Sequence, residues 1–308
     1  MAYAALGLTP IARGALYGLG PVVLALFGLA VYRLGKSAAS TATEVAIGVA
    51  AAAASAGTSL GIVAILILAG CAGLLLLQPV KPGLLVRALS SALVLVVLSA
   101  PWWLSASGPA WSAAGRVPNP HSLLDVGAYF LKVGAFTIGG GLTMIAFIQD
   151  QVVGQFGWLT PREFVDGLAL GQLTPGPVLM IAAYVGYKIA GIAGAAVAAA
   201  AAFLPSFVIM LVILPELDRV RQFAWMRAVM RGMSPAVIGV LAVSLVRLAP
   251  AALPDLFAVV ILAVTVVALL AFRVGAFKVM VAGACLGVLR SHLPVIRGAG
   301  AAGRLIVS

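Results

Sequence analysis

Two interruptions of apolar sequence constrain the fold of this chain more than any other feature. The first is the glycine triplet Gly139–Gly141, and the second is the Pro-Gly-Pro run Pro175–Pro177. Glycine permits left-handed backbone angles, and each proline fixes φ and removes a backbone N–H donor. In a bilayer, broken backbone is tolerated only where protein buries it or where it lines a water-filled cavity. A pair of interrupted apolar segments is therefore typical of the substrate site of a transporter.

The composition indicates that the chain folds in a bilayer. Of its 308 residues, 63% are apolar and only 9% are charged, whereas about a quarter of the residues in a soluble domain are charged. We therefore predict an all-α polytopic membrane protein. The net charge of +11 lies largely in short connections between apolar runs, where orientation signals and lipid head groups account for it. No RNA- or DNA-binding motif accompanies it, so we expect no nucleic-acid partner.

The sequence offers little for enzymatic or metal chemistry. Cys71 and Cys285 both lie inside apolar runs, and the chain has only two histidines, so neither a disulfide framework nor a metal site is expected. The G-x-S-x-G match at 57–61 lacks the preceding strand that a nucleophile elbow requires. Zinc-protease and nucleotide-binding motifs are missing from the sequence. We expect no enzymatic activity, no cofactor and no metal.

Apolar runs and capping signals predict the helices. The predicted helical runs are Leu16–Val31, Val45–Ser55, Leu60–Leu77, Leu84–Leu104, Leu123–Ile138, Val178–Tyr187, Ile192–Leu214, Met233–Val246, Leu256–Phe272 and Ala276–Leu289. The run Thr160–Glu163 predicts a further helix start, with Thr160 as N-cap and Glu163 three positions later. A connection rich in arginine precedes Met233, and it is the clearest positive-inside signal in the chain.

An internal repeat organises the chain. When the sequence is aligned with itself so that Arg13 falls on Arg227, Cys71 falls on Cys285, and further arginine, glycine and proline positions near the beginning match positions near the end. This shift is called the repeat offset below. We therefore expect the back half of a first repeat at 1–80, a linking transmembrane helix and polar loop at 81–122, a complete second repeat at 123–290, and a basic tail at 291–308. The front half of the first repeat is missing from this sequence. A start codon assigned too far downstream is the favoured explanation, and completion by oligomerisation is the other.

Five motifs resemble those of the chromate ion transporter (CHR) family. They are F-T-I-G-G-G (Phe136–Gly141), G-W-L-T-P-R-E-F (Gly157–Phe164), L-x-L-G-Q-L-T-P-G-P (Leu168–Pro177), G-Y (Gly186–Tyr187) and F-L-P-S-F (Phe203–Phe207). The resemblance implies an inverted-repeat transporter with interrupted helices, whose homologous domains face opposite ways in the bacterial inner membrane. It also implies export of chromate from the cytoplasm.

The candidate substrate-binding residues are those at the two breaks together with nearby donors and one cation. They are Lys132, Thr137, Gly139, Gly140, Gly141, Gln172, Thr174, Pro175, Gly176 and Pro177, with Gln149 as a further donor. A tetrahedral oxyanion offers only acceptor oxygens, so it requires donors and positive charge, and a half-helix that starts after Pro175 supplies both. Lys132 either faces the site or extends to the membrane interface.

Two alternatives to chromate export stay open. The first is transport of another anion, such as sulfate. The second is a non-transporting membrane subunit that assembles as a homodimer or with a partner chain supplying the missing half.

The repeat generates a prediction about membrane topology. Arg13 and Arg227 begin the matched segments, and the additional span Leu84–Leu104 makes the number of crossings between them odd. We therefore predict that the two arginines lie on opposite membrane faces, with Arg227 in the cytoplasm. Labelling of cysteines introduced at the two positions, from each side of the membrane, checks this. Finding both on one face would contradict it.

Overall fold

The architecture is all-α. The computed structural model describes residues 10–38, 40–58, 61–77, 122–135, 137, 141–173, 180–213, 224–272 and 274–292. Every regular element in these ranges is a helix. The predicted span Leu84–Leu104, the polar loop after it and most of the basic tail lie outside the described residues.

Ten α-helices and one π-helical segment are defined among these residues. They are α1 (Pro10–Ala38), α2 (Ala42–Gly57), α3 (Ile62–Leu76), α4 (Leu123–Ala135), α5 (Gly141–Ile148), the π-helical segment (Gln149–Gln155), α6 (Pro161–Leu173), α7 (Met180–Ile213), α8 (Ala224–Ala252), α9 (Leu256–Leu270) and α10 (Ala276–His292).

Three of these helices are long and apolar enough to cross a membrane. The spans are Ile11–Ala38, Met180–Leu211 and Trp225–Ala252. Helices α2, α3 and α9 are also apolar but shorter, below the roughly 20 residues of a straight crossing. With its apolar composition, this architecture is that of an all-α membrane protein.

Helix α8 is longer than its apolar run predicted. It begins at Ala224 rather than Met233, so Arg227 and Arg231 lie on the helix and not in the preceding connection. Arginine is a good helix former, and an apolar run alone underestimates a helix that continues into charged sequence. The prediction of an arginine-rich connection before Met233 was therefore wrong for these two residues.

Helix α7 joins two predicted helices across a kink. The kink is at Ala190 and at Gly191, where φ is +64°. Glycine takes this left-handed angle without the steric cost that a side chain imposes. The helical segments before and after the kink pack on each other, because a methyl group at Gly186 would collide with the carbonyl of Gly194. The prediction of two separate helices here therefore agrees with the structure.

Capping boxes begin α2 and α6. The backbone N–H of Glu163 donates to the hydroxyl of Thr160 at 3.2 Å, and the backbone N–H of Thr160 donates to the Glu163 carboxylate at 3.0 Å. The predicted start of α6 is thus confirmed. Thr41 and Glu44 make the same reciprocal pair at α2, and the S/T-x-x-E pattern that produces it was available in the sequence.

The chain forms two compact units. The first contains residues 1–30, 159–181 and 245–308, and the second contains 31–158 and 182–244. The first unit thus combines most of α1 with α6, α9 and α10. The second combines most of α8 with α2, α3, α4, α5 and most of α7.

The three helices at the beginning of the chain recur at its end in the same register. Helices α1 and α8 each have 29 residues, and the repeat offset carries both the start and the end of α1 onto those of α8. The same offset carries the start of α2 onto that of α9, and the start of α3 onto that of α10.

Close glycine contacts hold α1 to α10 in the first unit. A methyl group at Gly18 would collide with the backbone of Gly283 and Gly287. In the second unit, a methyl group at Gly232 would collide with the backbone of Ala69 and Gly73, which lie on α3. Gly18 and Gly232 are matched by the repeat offset, so each unit packs a long helix of one matched segment on the third helix of the other.

The long helices α1 and α8 run antiparallel where they meet in the first unit. Gly20 faces Ala252, and Gly28 faces Leu245. As the residue number rises along α1, the number of the facing residue on α8 therefore falls.

These contacts predict the cost of small substitutions. Gly18→Ala and Gly232→Ala each push a methyl group into the backbone of a neighbouring helix, so we expect each to lower the free energy of unfolding by about 1–3 kcal/mol. Gly57→Ala is the control, because a Cβ at Gly57 meets open space. Thermal unfolding of the purified variants in detergent measures the difference. Equal stability of all three would contradict the packing.

Candidate functional site

The first predicted break lies between α4 and α5. Helix α4 ends at Ala135, and α5 begins at Gly141, so the helix stops three residues earlier than its apolar run. Between them, the Thr137 hydroxyl donates to the Val133 carbonyl at 2.7 Å. Thr137 therefore satisfies a free carbonyl at the helix end. Gly139 and Gly140 lie outside the described residues.

Helix ends also flank the second predicted break. Helix α6 ends at Leu173, and α7 begins at Met180. Gln172 is half-buried on the last turn of α6. The other candidates of this break, Thr174–Pro177, lie outside the described residues.

Lys132 lies on the exposed side of α4. The buried residues of this helix are Val126, Tyr129, Phe130, Val133 and Gly134. The first four of them follow the spacing of a single helix face, and the exposed Lys132 is not among them. Lys132 and Thr137 belong to the second unit, whereas Gln172 belongs to the first.

A π-helical segment follows α5 directly. Gln149 and Val152 are its buried residues, and Gln149 is the donor named from the sequence. The backbone N–H of Phe156 donates to the Gln151 carbonyl at 2.7 Å, and that of Trp158 donates to Val152 at 2.9 Å. Single π-helical turns are rare and occur frequently at functional sites. Sequence periodicity did not predict this one.

Aromatic rings join α4 to the loop after the π-helical segment. The ring centroid of Tyr129 lies 5.5 Å from that of Phe156 and 5.4 Å from that of Trp158, both edge-to-face. Tyr129 is only 5% exposed. These contacts hold the loop against the buried face of α4.

Three polar atoms of this region are buried without a hydrogen-bond partner among the residues that the structure describes. They are the Tyr129 hydroxyl, the Gln151 Oε1 and the Trp158 Nε1. A buried polar group without a partner is costly, so each such group requires an explanation. The tyrosine hydroxyl and the indole N–H are both donors, as an oxyanion requires. Trp158 lies in the motif G-W-L-T-P-R-E-F, but its indole was not among the sequence candidates.

An ionic cluster occupies the first unit. Arg290 Nη2 lies 2.6 Å from the Asp255 carboxylate. The Tyr17 hydroxyl donates to Asp255 and accepts from Arg290. The Arg290 guanidinium also lies 4.4 Å from the centre of the Tyr17 ring. Three polar side chains from α1, α10 and the N-cap of α9 therefore satisfy one another.

Burial and hydrogen bonding oppose each other at Asp255. Burial by itself raises the pKa of this carboxyl, but hydrogen bonds from Arg290 and Tyr17 outweigh burial and hold its pKa below the ordinary value. The Asp255 side chain also caps α9, since it accepts from the backbone N–H of Ala258 at 3.0 Å. Sequence analysis placed Arg290 at the end of the second repeat and did not foresee this pairing.

Helix α6 is held beside this cluster through Arg162. Arg162 Nη1 donates to the carbonyl of Ala251 at 3.1 Å. Its guanidinium lies 5.9 Å from the centre of the Tyr17 ring and pairs with Asp166 at 3.5 Å. The start of α6 is thereby fixed against α1 and the end of α8.

The family profile described as "Chromate transporter" matches residues 124–288, more than half of the chain. The chain belongs to the chromate transporter family. The match covers both helix breaks and the π-helical segment. The family resemblance read from the motifs is therefore confirmed.

Individual members of the chromate transporter family align with parts of the chain. The chromate transport protein of Cupriavidus metallidurans is 35% identical over 53% of this chain and 41% of its own length. That of Pseudomonas aeruginosa is 34% identical over 53% of this chain and 39% of its own length. The probable chromate transport protein of Synechococcus elongatus is 27% identical over 78% and 58%. The chain thus spans about half the length of these relatives. No solved structure matches it.

The ionic cluster generates a stability prediction. Asp255→Asn keeps a good N-cap residue but leaves Arg290 mostly buried without its carboxylate, so we expect a loss of about 3 kcal/mol in unfolding free energy. Because the folded pKa of Asp255 is depressed, its contribution is present at neutral pH and is lost as the pH falls through that pKa. Thermal unfolding at neutral and acidic pH measures both effects.

The control for this variant is Arg33→Gln, which removes a charge from an exposed position of α1. We expect it to change stability by less than about 0.5 kcal/mol. If the two variants lose equal stability, the Asp255–Arg290 pair does not stabilise the fold.

Proposed function

We propose that this protein is a secondary transporter that exports chromate or a similar tetrahedral oxyanion across the bacterial inner membrane. The observation that carries the proposal is the family match over residues 124–288, which includes both breaks. The relatives named as chromate transport proteins align over about half of the chain. A multi-pass location is supported by three helices that are long and apolar enough to span a membrane.

The substrate site is proposed at the two helix breaks. Glycine and proline there leave backbone groups free to meet an anion, and donors nearby complete its coordination. The candidates are Lys132, Thr137, Gly139, Gly140, Gly141, Gln172, Thr174, Pro175, Gly176 and Pro177. To these we add the Tyr129 hydroxyl and the Trp158 indole N–H, because both are buried donors that find no hydrogen-bond partner in the described part of the chain.

Inverted repeats are proposed to alternate the access to this site. The matched bounds of α1 and α8 support the repeat. Their antiparallel packing in the first unit supports the opposite orientation of the two copies. In transporters of this kind, one repeat moves against the other around a site near the middle of the bilayer. The driving energy is proposed to be an ion gradient or the membrane potential, since the sequence contains no nucleotide-binding motif.

Transport of sulfate instead of chromate stays an alternative, because both are tetrahedral dianions with four acceptor oxygens. A second alternative is a membrane subunit that needs another chain for transport.

Flux into proteoliposomes tests the proposal. We expect the purified chain to carry chromate, and we expect Gly140→Leu, or Pro175→Ala combined with Pro177→Ala, to abolish the flux without impairing membrane insertion. Gly57→Leu is the matched control, because it makes the same change at a glycine with open space around it. An excess of sulfate distinguishes the substrates by competition.

Three outcomes would contradict parts of this proposal. Full flux through the correctly inserted double proline variant would reject the site at the breaks. Complete competition by equimolar sulfate would reject selectivity for chromate. Flux that appears only after addition of a second family member would favour the subunit alternative.

A further inference from the structure

The chain reverses its direction between α4 and α5. The ring of Tyr129 on α4 lies 5.5 Å from that of Phe156 and 5.4 Å from that of Trp158, and both of these follow the π-helical segment. If α5 continued in the direction of α4, a rise of about 1.5 Å per residue would place its end more than about 20 Å from Tyr129. The ring contacts therefore require α5 and the π-helical segment to run back along α4. Direct contacts between α4 and α5 agree with this course.

The returning arm is enclosed by protein. Residues 144–149 are all buried, and consecutive residues of a helix point in every direction around its axis. Inside a bilayer, a helix end needs such an enclosure, because lipid offers no partner to its free backbone groups. The arm after the break thus has the surroundings of a segment inserted among helices, and not those of a helix that faces lipid.

The depth of the reversal follows from the packing of α4 on α7. A methyl group at Gly134 would collide with the carbonyl of Ala202, and one at Gly127 would lie 3.1 Å from the Val197 side chain. The residue numbers rise together along the two helices, so the helices run parallel. Residues 192–213 of α7, after its kink, extend over about 33 Å, close to the bilayer core of about 30 Å. Because Ala202 lies at their middle, α4 ends near the middle of the bilayer.

The acidic residues of the two arms lie at similar depths. Asp125 precedes the end of α4 by about 15 Å, and Asp150 follows the start of α5 by roughly 14 Å. A carboxylate is costly inside the bilayer core, and half of that core is about 15 Å thick. Both arms therefore carry their carboxylate where the core ends, which places the two open ends at one membrane face.

Lys132 lies much deeper than these carboxylates. It precedes the end of α4 by about 5 Å, so roughly 10 Å separate it from the face at which α4 begins. Its four-carbon side chain is shorter than that distance. An ionisable residue at this depth is costly and typically marks a substrate or ion pathway. Of the two possibilities that the sequence left for Lys132, its depth favours the substrate site over the membrane interface.

We propose that α4 and the segment formed by α5 and the π-helical turn are the two arms of a re-entrant hairpin. It enters the bilayer from one face, reverses near the middle and returns to the same face, and the aromatic contacts of Tyr129 hold its arms together. Lys132, near the reversal, supplies the positive charge that binds the oxyanion. The hairpin does not depend on transport activity, whereas the role of Lys132 rests on the proposed function.

Sided labelling of single cysteines tests the hairpin. The variants Leu124→Cys, Gln155→Cys, Ile192→Cys and Leu211→Cys, all at exposed positions, are made in a Cys71→Ala/Cys285→Ala background. A membrane-impermeant maleimide is added to right-side-out and to inverted membrane vesicles. We expect the first three variants to react in the same type of vesicle, because both arms and the start of residues 192–213 share one face. We expect Leu211→Cys to react in the other type.

Chromate flux into proteoliposomes tests Lys132. Removal of a charged hydrogen-bond donor from the site predicts that Lys132→Gln raises the KM for chromate about tenfold, with a smaller effect on kcat. Lys132→Arg keeps the charge, so we expect it to restore most of the affinity. Lys188→Gln is the matched control, because it makes the same substitution at an exposed lysine beside the kink of α7. We expect it to leave the KM unchanged.

Several results would overturn the proposal. Labelling of Gln155→Cys from the face opposite to Leu124→Cys would show that this segment crosses the bilayer. Labelling of Leu211→Cys from the same face as Ile192→Cys would reject the depth of the reversal. An unchanged KM of Lys132→Gln, or an equal rise for Lys188→Gln, would reject Lys132 as a substrate ligand. If the unmodified chain carries no chromate, the role of Lys132 fails with the proposed function, whereas the labelling still decides the hairpin.

Discussion

Close approach of glycine to the backbone of a neighbouring helix is the contact on which the rest of this structure depends. Lipid tails solvate apolar side chains as well as protein does, so membrane helices gain little from apolar burial alone and associate through tight packing. Gly18 on Gly283 and Gly287, and Gly232 on Gly73, supply that packing in the two units. These contacts fix α10 against α1 and α3 against α8. The cap of α9 and the cap of α2 then lie beside polar residues of the long helices.

The two units each contain a carboxylate near a helix start, and they satisfy it with different partners. A carboxylate in the cap or first turn of a short helix must be satisfied near the membrane. In the first unit, Asp255 receives Arg290 and Tyr17. In the second, Glu44 accepts hydrogen bonds from its own capping residues and pairs with the more exposed Arg231. The matched segments thus retain the packing geometry while the charged partners differ.

The region around the glycine break buries several polar side-chain atoms. The π-helical segment, the loop with Trp158 and the buried face of α4 enclose a tyrosine hydroxyl and an indole N–H, and neither has a hydrogen-bond partner within the described ranges. Buried donors interact with an anion more strongly than exposed ones, because the local dielectric is low. Because chromate is an oxyanion, the proposed function assigns these donors to substrate binding.

Local patterns in the sequence determined much of this protein. The apolar composition, the start of α6 at Pro161 and the family motifs depend on nearest neighbours or on fixed spacing, so they can be read residue by residue. The tertiary structure alone decided the partners of Arg290 and the aromatic contacts that Tyr129 makes with Phe156 and Trp158. Their contacts lie far apart in sequence, such as the 238 residues between Tyr17 and Asp255. A local sequence pattern does not predict which distant residues come into contact, because the packing of the folded chain determines the partners.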